Sequence, residues 1–311
     1  MKRADAPDEA RDDGPAKPQK KHFRTRAHSN VLNANDFWFP PTPDDVPLDE
    51  YFPNLAPEAR TIEFVDIGCG YGSLLLELAK VFPEAPMLGI EIRPKVVEYV
   101  QRKVVALRHE ARGSADGGTS SAAERAPDAA VASASSTPCQ PNHENLWAVL
   151  NNAQRFMPNF FRKGQLSKLF FCFADPHFKR KNHRKRIVST ALLAEYAYVM
   201  RPGGLAYVIT DVADLMSWIV GHFSESPLFE RLPNQALRAD PAVRCLIRTD
   251  EGLKVTRNNG NMYIAVFRKR IDPLAPREPA PLPNDNAVAA EAARDAGYAP
   301  KAGGERRGMT W

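Results

Sequence analysis

The stretch from Phe64 to Arg93 constrains the fold of this chain more than any other. It reads Phe-Val-Asp-Ile-Gly-Cys-Gly-Tyr-Gly, then, after Ser73, Leu-Leu-Leu-Glu-Leu-Ala-Lys-Val-Phe, and later Leu-Gly-Ile-Glu-Ile-Arg. Ile62 to Ile67 is short, apolar and rich in β-branched residues, which predicts a buried strand. Gly68, Gly70 and Gly72 follow at once and allow backbone angles and a close ligand approach that a Cβ would block. Leu74, Leu75, Leu78 and Phe82 then fall at helical spacing, and Pro83 marks the stop. Met87 to Ile90 predicts a second strand with Glu91 at its carboxyl end. Strand, glycine turn, helix, strand and acid make up the nucleotide-binding half of a doubly wound sheet. There the terminal acid accepts hydrogen bonds from ribose hydroxyls.

The glycine spacing narrows the ligand. A dinucleotide site favours G-x-G-x-x-G, which holds a pyrophosphate. Here the pattern is G-x-G-x-G behind Asp66, which resembles motif I of class I S-adenosylmethionine methyltransferases. A carboxylate beside the loop suits a cationic methionine end better than a diphosphate. The alternative for the glycines alone is a tight turn with no ligand.

Composition bounds the rest. The chain has 311 residues, 43% of them hydrophobic, enough for one large α/β domain with appendages or at most two domains. The formal net charge is only +5, so the placement of cations matters more than their number. Cys69, Cys139, Cys172 and Cys245 form no CxxC pair and no zinc spacing. The histidines have no metal-ligand spacing either, so no metal is expected. No apolar run approaches membrane-spanning length, and a signal-peptide core is missing, so a soluble, intracellular protein is expected.

Taken in order, residues 1–20 lack periodicity and predict a disordered tail. Residues 21–60 are a basic and aromatic arm followed by a Pro-rich connector. The arm, Lys17 to Arg26, packs cations around Phe23, a pattern that fits a phosphate backbone, a nuclear-import signal or a solvated tail. The main domain spans residues 61–270. A second helix is expected over Val96 to Leu107. Residues 112–141 are Ala, Ser, Gly, Thr and Pro with almost no large apolar residue, which predicts a disordered insertion. Further strands are expected at Leu146–Leu150, Lys168–Phe173, Leu205–Thr210 and Tyr263–Arg268, with helices at Ile187–Met200 and Val212–Phe223 and a turn at Arg201–Gly204. Residues 271–311 predict a disordered tail. This alternation predicts a mainly parallel sheet with helices on both faces.

In such a sheet the chemistry gathers at the carboxyl ends of the strands, which nominates Gly68, Glu91, Asn152, Asp175 and Asp211. Asp175 ends an apolar strand, precedes Pro176, and is followed by Phe-Lys-Arg-Lys-Asn-His-Arg-Lys-Arg. A carboxylate beside a dense cationic strip points to a polar group presented to a polyanion. A helix cap and a solvated face are the plainer alternatives. The candidate RNA contacts are Lys21, Arg24, Arg26 and His28 on the arm, and Lys179, Arg180, Lys181 and Arg184 on the strip.

Lys163 to Arg180, Lys-Gly-Gln-Leu-Ser-Lys-Leu-Phe-Phe-Cys-Phe-Ala-Asp-Pro-His-Phe-Lys-Arg, resembles the signature of tRNA (guanine-N7)-methyltransferases. Arg-Ala-His-Ser-Asn (26–30), Asp-Ile-Gly-Cys-Gly-Tyr-Gly (66–72), Leu-Leu-Ala-Glu-Tyr-Ala-Tyr (192–198) and Pro-Leu-Phe-Glu-Arg (227–231) agree with the eukaryotic branch. The resemblance implies a seven-stranded, doubly wound, Rossmann-like sheet of the class I methyltransferase type. It implies S-adenosyl-L-methionine as cofactor and methylation of a variable-loop guanosine (tRNA position 46). It also implies a heterodimer in which a non-catalytic WD-repeat β-propeller subunit supports tRNA binding. By the same resemblance Gly68, Glu91, Arg93, Asn152, Ala153 and Cys172 contact the cofactor, Asp175 is the catalytic acid, and Thr249 and Glu251 close over the site. Ala174 stands where the family has Pro, and the insertion is longer than usual. Nuclear residence is expected from the family and the basic arm. The rivals are a methyltransferase acting on another RNA or a small molecule, a silent RNA-binding scaffold, and, more distantly, a dehydrogenase.

Overall fold

The computed structural model describes residues 14–25, 31–32, 37–116 and 142–271. After a short helix α1 (Leu48–Tyr51), strands and helices alternate: β1 (Phe64–Ile67), α2 (Ser73–Val81), β2 (Met87–Glu91), α3 (Pro94–Asp116), β3 (Leu146–Leu150), α4 (Ala153–Phe160), β4 (Leu166–Cys172), α5 (Thr190–Val199), β5 (Met200–Thr210) and α6 (Ala213–Glu225). The chain closes with β6 (Phe229–Arg231), α7 (Asn234–Leu237), α8 (Pro241–Ile247), α9 (Asp250–Arg257) and β7 (Tyr263–Lys269). The sheet order is β3-β2-β1-β4-β5-β7-β6. Strands β1 to β5 pair in parallel, and β7 runs antiparallel to both β5 and β6. The order reverses between β1 and β4, so the crevice where ligands bind opens at their carboxyl ends.

Alternation along each strand builds two cores. In β1, Val65 and Ile67 join a layer with Leu88, Ile90, Met157, Leu193 and Ile219, under α4, α5 and α6. Phe64 faces the other way, into a layer with Met87, Phe170, Leu78, Val100 and Leu246, under α2, α3 and α8. All four residues of β1 are buried, as the central strand of a sheet covered on both faces must be.

Several boundaries differ from the sequence expectation. Helix α3 continues to Asp116, into the segment read as insertion; residues 117–141 lie outside the described residues. The tail read over residues 1–20 is structured at its end: Lys17 pairs with Glu110 at 2.6 Å and a 3-10 turn begins at Lys20. Residues 272–311 of the C-terminal tail also lie outside the described residues. The turn at Arg201–Gly204 is a bulge within β5, where register slips between Leu166 and Lys168 of β4. Helix α5 starts at Thr190 because the Ser189 side chain accepts from Leu192 N. Helices α1, α4, α7, α8 and α9 and strand β6 have no counterpart in the sequence expectation, and α1 falls in the stretch read as a connector. Pro158 inside α4 reads as a breaker, yet the Asn152 cap and buried Met157 and Phe160 hold that helix.

One buried cation ties the chain together where the insertion leaves it. Arg108 on α3 donates to Tyr51 O at 2.8 Å, His143 O at 3.1 Å and Leu146 O at 2.9 Å. Its Nε lies 3.2 Å from a Glu144 carboxylate oxygen. The connector, the helix and the start of β3 thus meet on a single guanidinium, whose several donors suit such a node. Among the described residues no helix is long and apolar enough to cross a membrane.

Candidate active site

A cavity of about 660 Å³ opens at the switch point. Its floor is the loop after β1. Gly68, Gly70 and Gly72 have φ of 75°, 52° and 74°, in the left-handed region. A Cβ built on Gly68 meets nothing within 4 Å, so the backbone is bare toward the open space. Beneath the loop Asp66 is buried, with one carboxylate oxygen lacking any hydrogen-bond partner. Burial first, and the neighbouring Glu91 charge second, push its pKa up to about 8. A buried carboxyl with one unpartnered oxygen beside the glycine cradle fits a ligand that brings a positive charge or a donor.

Glu91 stands at the end of β2, as expected, but its carboxylate is already engaged. One oxygen accepts from Ile92 N at 2.8 Å, Arg93 N at 3.0 Å and Arg93 Nε at 3.0 Å. The other accepts from Gly70 N at 3.1 Å and Arg93 Nη2 at 2.8 Å. The pairing holds the Arg93 guanidinium firmly in its charged form. A ribose hydroxyl reaching Glu91 must therefore exchange with Arg93.

The far wall comes from β3 and β4. Asn152 caps α4, accepting from Gln154 N at 3.0 Å, while its amide donates to Val31 O at 2.8 Å. Asn151 likewise donates to Trp38 O at 2.8 Å. The two asparagines pin the N-terminal connector across the cavity. Ala153 and Cys172 line it between them. Burial raises the Cys172 thiol well above its usual range, which keeps it protonated and poorly nucleophilic.

Asp175 lies in the loop after β4, with a carboxylate oxygen 3.8 Å from His177 Nδ1. Phe173 and His177 on either side of it have φ of 48° and 45°. Such non-glycine residues cost about 1–3 kcal/mol each and persist only where surroundings enforce them. The enforcement is visible: Phe173 N donates to Ile209 O at 2.8 Å and Pro176 O accepts from Arg186 Nε at 2.9 Å. Ala174, in place of the usual proline, packs against the core instead. Asp211, at the end of β5, reaches the same cavity.

The third side is a closure between the N-terminal arm and the start of α9. Thr249 caps α9, accepting from Gly252 N at 3.1 Å and donating to Leu246 O at 2.9 Å. Its hydroxyl is spent on the helix, and Glu251 beside it points to the cavity while pairing with Lys254 at 3.1 Å. Asp250 pairs with Lys20 of the arm, and its backbone N donates to Ser73 Oγ at 3.1 Å. Tyr71 donates to Phe23 O at 3.2 Å. No pattern in the sequence announced Lys20 or Asp250 as neighbours across the cavity.

The nine residues assigned to cofactor and catalysis, Gly68, Glu91, Arg93, Asn152, Ala153, Cys172, Asp175, Thr249 and Glu251, all line this one cavity. Lys21, Arg24, Lys179, Arg180, Lys181 and Arg184 are exposed outside it. Arg26 and His28 lie outside the described residues. The 3-10 turn Arg180–Lys185 carries the strip, and Arg186 anchors it, its guanidinium 4.6 Å from the Trp218 ring centre. Among the described residues no group of His, Cys, Asp and Glu is arranged to hold a metal ion.

A family model described as "Putative methyltransferase" matches residues 60–265. A tRNA (guanine-N(7)-)-methyltransferase of Caenorhabditis briggsae is 46% identical over 260 residues, covering 83% of this chain and 91% of that protein. One from Yarrowia lipolytica is 44% identical over 264 residues, with 84% and 81% covered. One from Bombyx mori is 43% identical over 258 residues, with 83% and 98% covered. The strand order, with its antiparallel seventh strand, is the class I methyltransferase arrangement. With floor, wall and acid assembled at one switch point, and with relatives of this identity over most of its length, the chain belongs to the tRNA (guanine-N7)-methyltransferase family.

Proposed function

We propose that this chain methylates N7 of the variable-loop guanosine at tRNA position 46, as the catalytic subunit of a heterodimer with a WD-repeat β-propeller protein in the nucleus. The methyl donor is S-adenosyl-L-methionine, which supplies a methyl group already activated on a sulfonium. The observation that carries the reading is the position of Asp175: a carboxylate on the wall of the cavity that holds the glycine cradle, in a tethered loop that runs directly into exposed cations.

The residues divide the work. The bare backbone at Gly68 and the orphaned Asp66 receive the cofactor's cationic amino acid end. Glu91 releases Arg93 to accept the ribose hydroxyls. Guanine N7 carries a free lone pair at neutral pH, so no strong base is needed. The chain's task is alignment of nitrogen, carbon and sulfur, where orientation supplies up to about 7–11 kcal/mol. Methylation of N7 would leave the purine ring positively charged. Asp175, hydrogen-bonded to the base edge, stabilises that charge. Meanwhile the target base has left its stack, and the basic strip and arm hold the phosphates.

The test incubates the purified chain, alone and with the β-propeller subunit, with S-adenosyl-L-methionine and total tRNA, then maps N7-methylguanosine by chemical cleavage. Cleavage in the variable loop only when both proteins are present supports the whole reading. Variable-loop cleavage with the chain alone refutes the need for a partner. Cleavage elsewhere refutes the site.

A further inference from the structure

Phe178 has no part in the site as described, and it is 71% exposed. Single exposed apolar residues are ordinary on protein surfaces. This one differs in where it sits and how it is mounted. It directly follows His177 on the cavity wall and directly precedes the exposed Lys179, Arg180 and Lys181. Its loop is fixed on both sides: Phe173 N on Ile209 O and Pro176 O on Arg186 Nε before it, and Asn182 N on Lys179 O at 2.7 Å after it. Arg186 in turn rests on Trp218, whose indole donates to Val188 O at 2.9 Å. The ring therefore stands in solvent on a rigid base, at the one point where the catalytic loop becomes the cationic strip.

We propose that Phe178 is a stacking element of the tRNA-binding rim, resting on the reading above. When the target guanosine turns into the cavity, the ring packs against the face of a base left unstacked beside it. Lysines hold phosphates as point charges and cannot cover a base face. An aromatic ring can, and it does so without regard to base identity, because every base has a π-face. Apolar side chains set between base steps are a recurrent means of stabilising an opened stack.

The experiment compares Phe178→Ala, Phe178→Leu and Phe178→Trp in the full chain, with its partner subunit where activity requires it. The readout is single-turnover methyl transfer to total tRNA below saturation. The expected result is a loss of about tenfold or more for Ala and Leu, and near-normal rates for Trp. Cofactor affinity, melting temperature and the salt dependence of tRNA binding stay unchanged, because no buried atom and no charge is removed. Tryptophan emission, taken as the difference between Phe178→Trp and the parent chain, is quenched on tRNA addition. Activity of Phe178→Ala within about twofold of the parent overturns the proposal, as does Leu performing as well as Phe. A defect traced to lost retention of the partner subunit also overturns it, assigning the ring to a protein contact. If the parent binds tRNA but does not methylate it, the functional reading fails by itself. The emission then decides the stacking: quenching supports it and unchanged emission overturns it.

Discussion

The cavity has a floor and a rim, and the two are built on different principles. The floor carboxyls, Asp66 and Glu91, are buried and set in place by strand ends and backbone amides. The hydrogen bonds to the Glu91 carboxylate all come from within the segment from Phe64 to Arg93. The rim groups, Asp175 and the cations of the strip, are more exposed, and the loop that carries them is held from further along the chain, by Phe173 N on Ile209 O. The difference matches what each must bind. A small cofactor is held deepest by the buried groups of one supersecondary unit, with residues after β3, at the end of β4 and at the start of α9 completing its pocket. A polynucleotide needs reach, so its contacts are spread over a surface and its charges remain in water, where they steer and grip without a desolvation penalty.

Asp175 stands at the seam between floor and rim. Replacing it with Ala should lower turnover by about a hundredfold or more while leaving cofactor affinity intact. Cofactor affinity is measured by calorimetry with the demethylated product. Near-normal turnover would remove Asp175 from the chemistry.

The rim comes next. Reversing Lys179, Arg180 and Lys181 to Glu should weaken tRNA binding by about tenfold or more and flatten its log–log salt dependence. Filter binding across a salt series measures both. Unchanged slopes would mean that the strip faces something other than phosphate.

The floor can be probed by pH. The Asp66 pKa is raised, to about 8, so its neutral form is the stable one in the unliganded fold. Its contribution is full below the ordinary carboxylate range and is lost as pH rises through about 8. The unliganded chain should therefore lose stability over that window, by at most about 1.4 kcal/mol per pH unit. Asp66→Asn should flatten the trend. Denaturant melts at several pH values give the slope, and an identical slope in the Asn variant would show that Asp66 is not its source.

The smallest effect belongs to the closure. Lys20 and Asp250 are both partly exposed, so Lys20→Ala should cost no more than about 1 kcal/mol of stability. Cofactor should leave a few-fold faster. A much larger loss would make the arm a structural element rather than a latch.

The same contrast explains what the sequence made legible. The floor is local, so the run from Phe64 to Arg93 displays its strand, turn, helix and acid in order, and periodicity reads them directly. Asp175 was legible because a strand end, a proline and a cationic run coincide there. The closure was not. Lys20 meets Asp250 across 230 positions, and nothing in either segment encodes the other. Helices α8 and α9 are seven and eight residues long, too short for periodicity to announce. The role of Asn152 was legible as a strand-end polar group but not as an anchor, because its partner Val31 O is a backbone atom far away in the chain.

The division of labour is tested most directly by measuring two affinities on two variants: the demethylated cofactor and tRNA, each against Asp66→Asn and against the Glu-reversed strip. Cofactor affinity should fall only in the floor variant and tRNA affinity only in the rim variant. A rim variant that loses cofactor, or a floor variant that loses tRNA, would show that floor and rim act as one surface and would contradict that division.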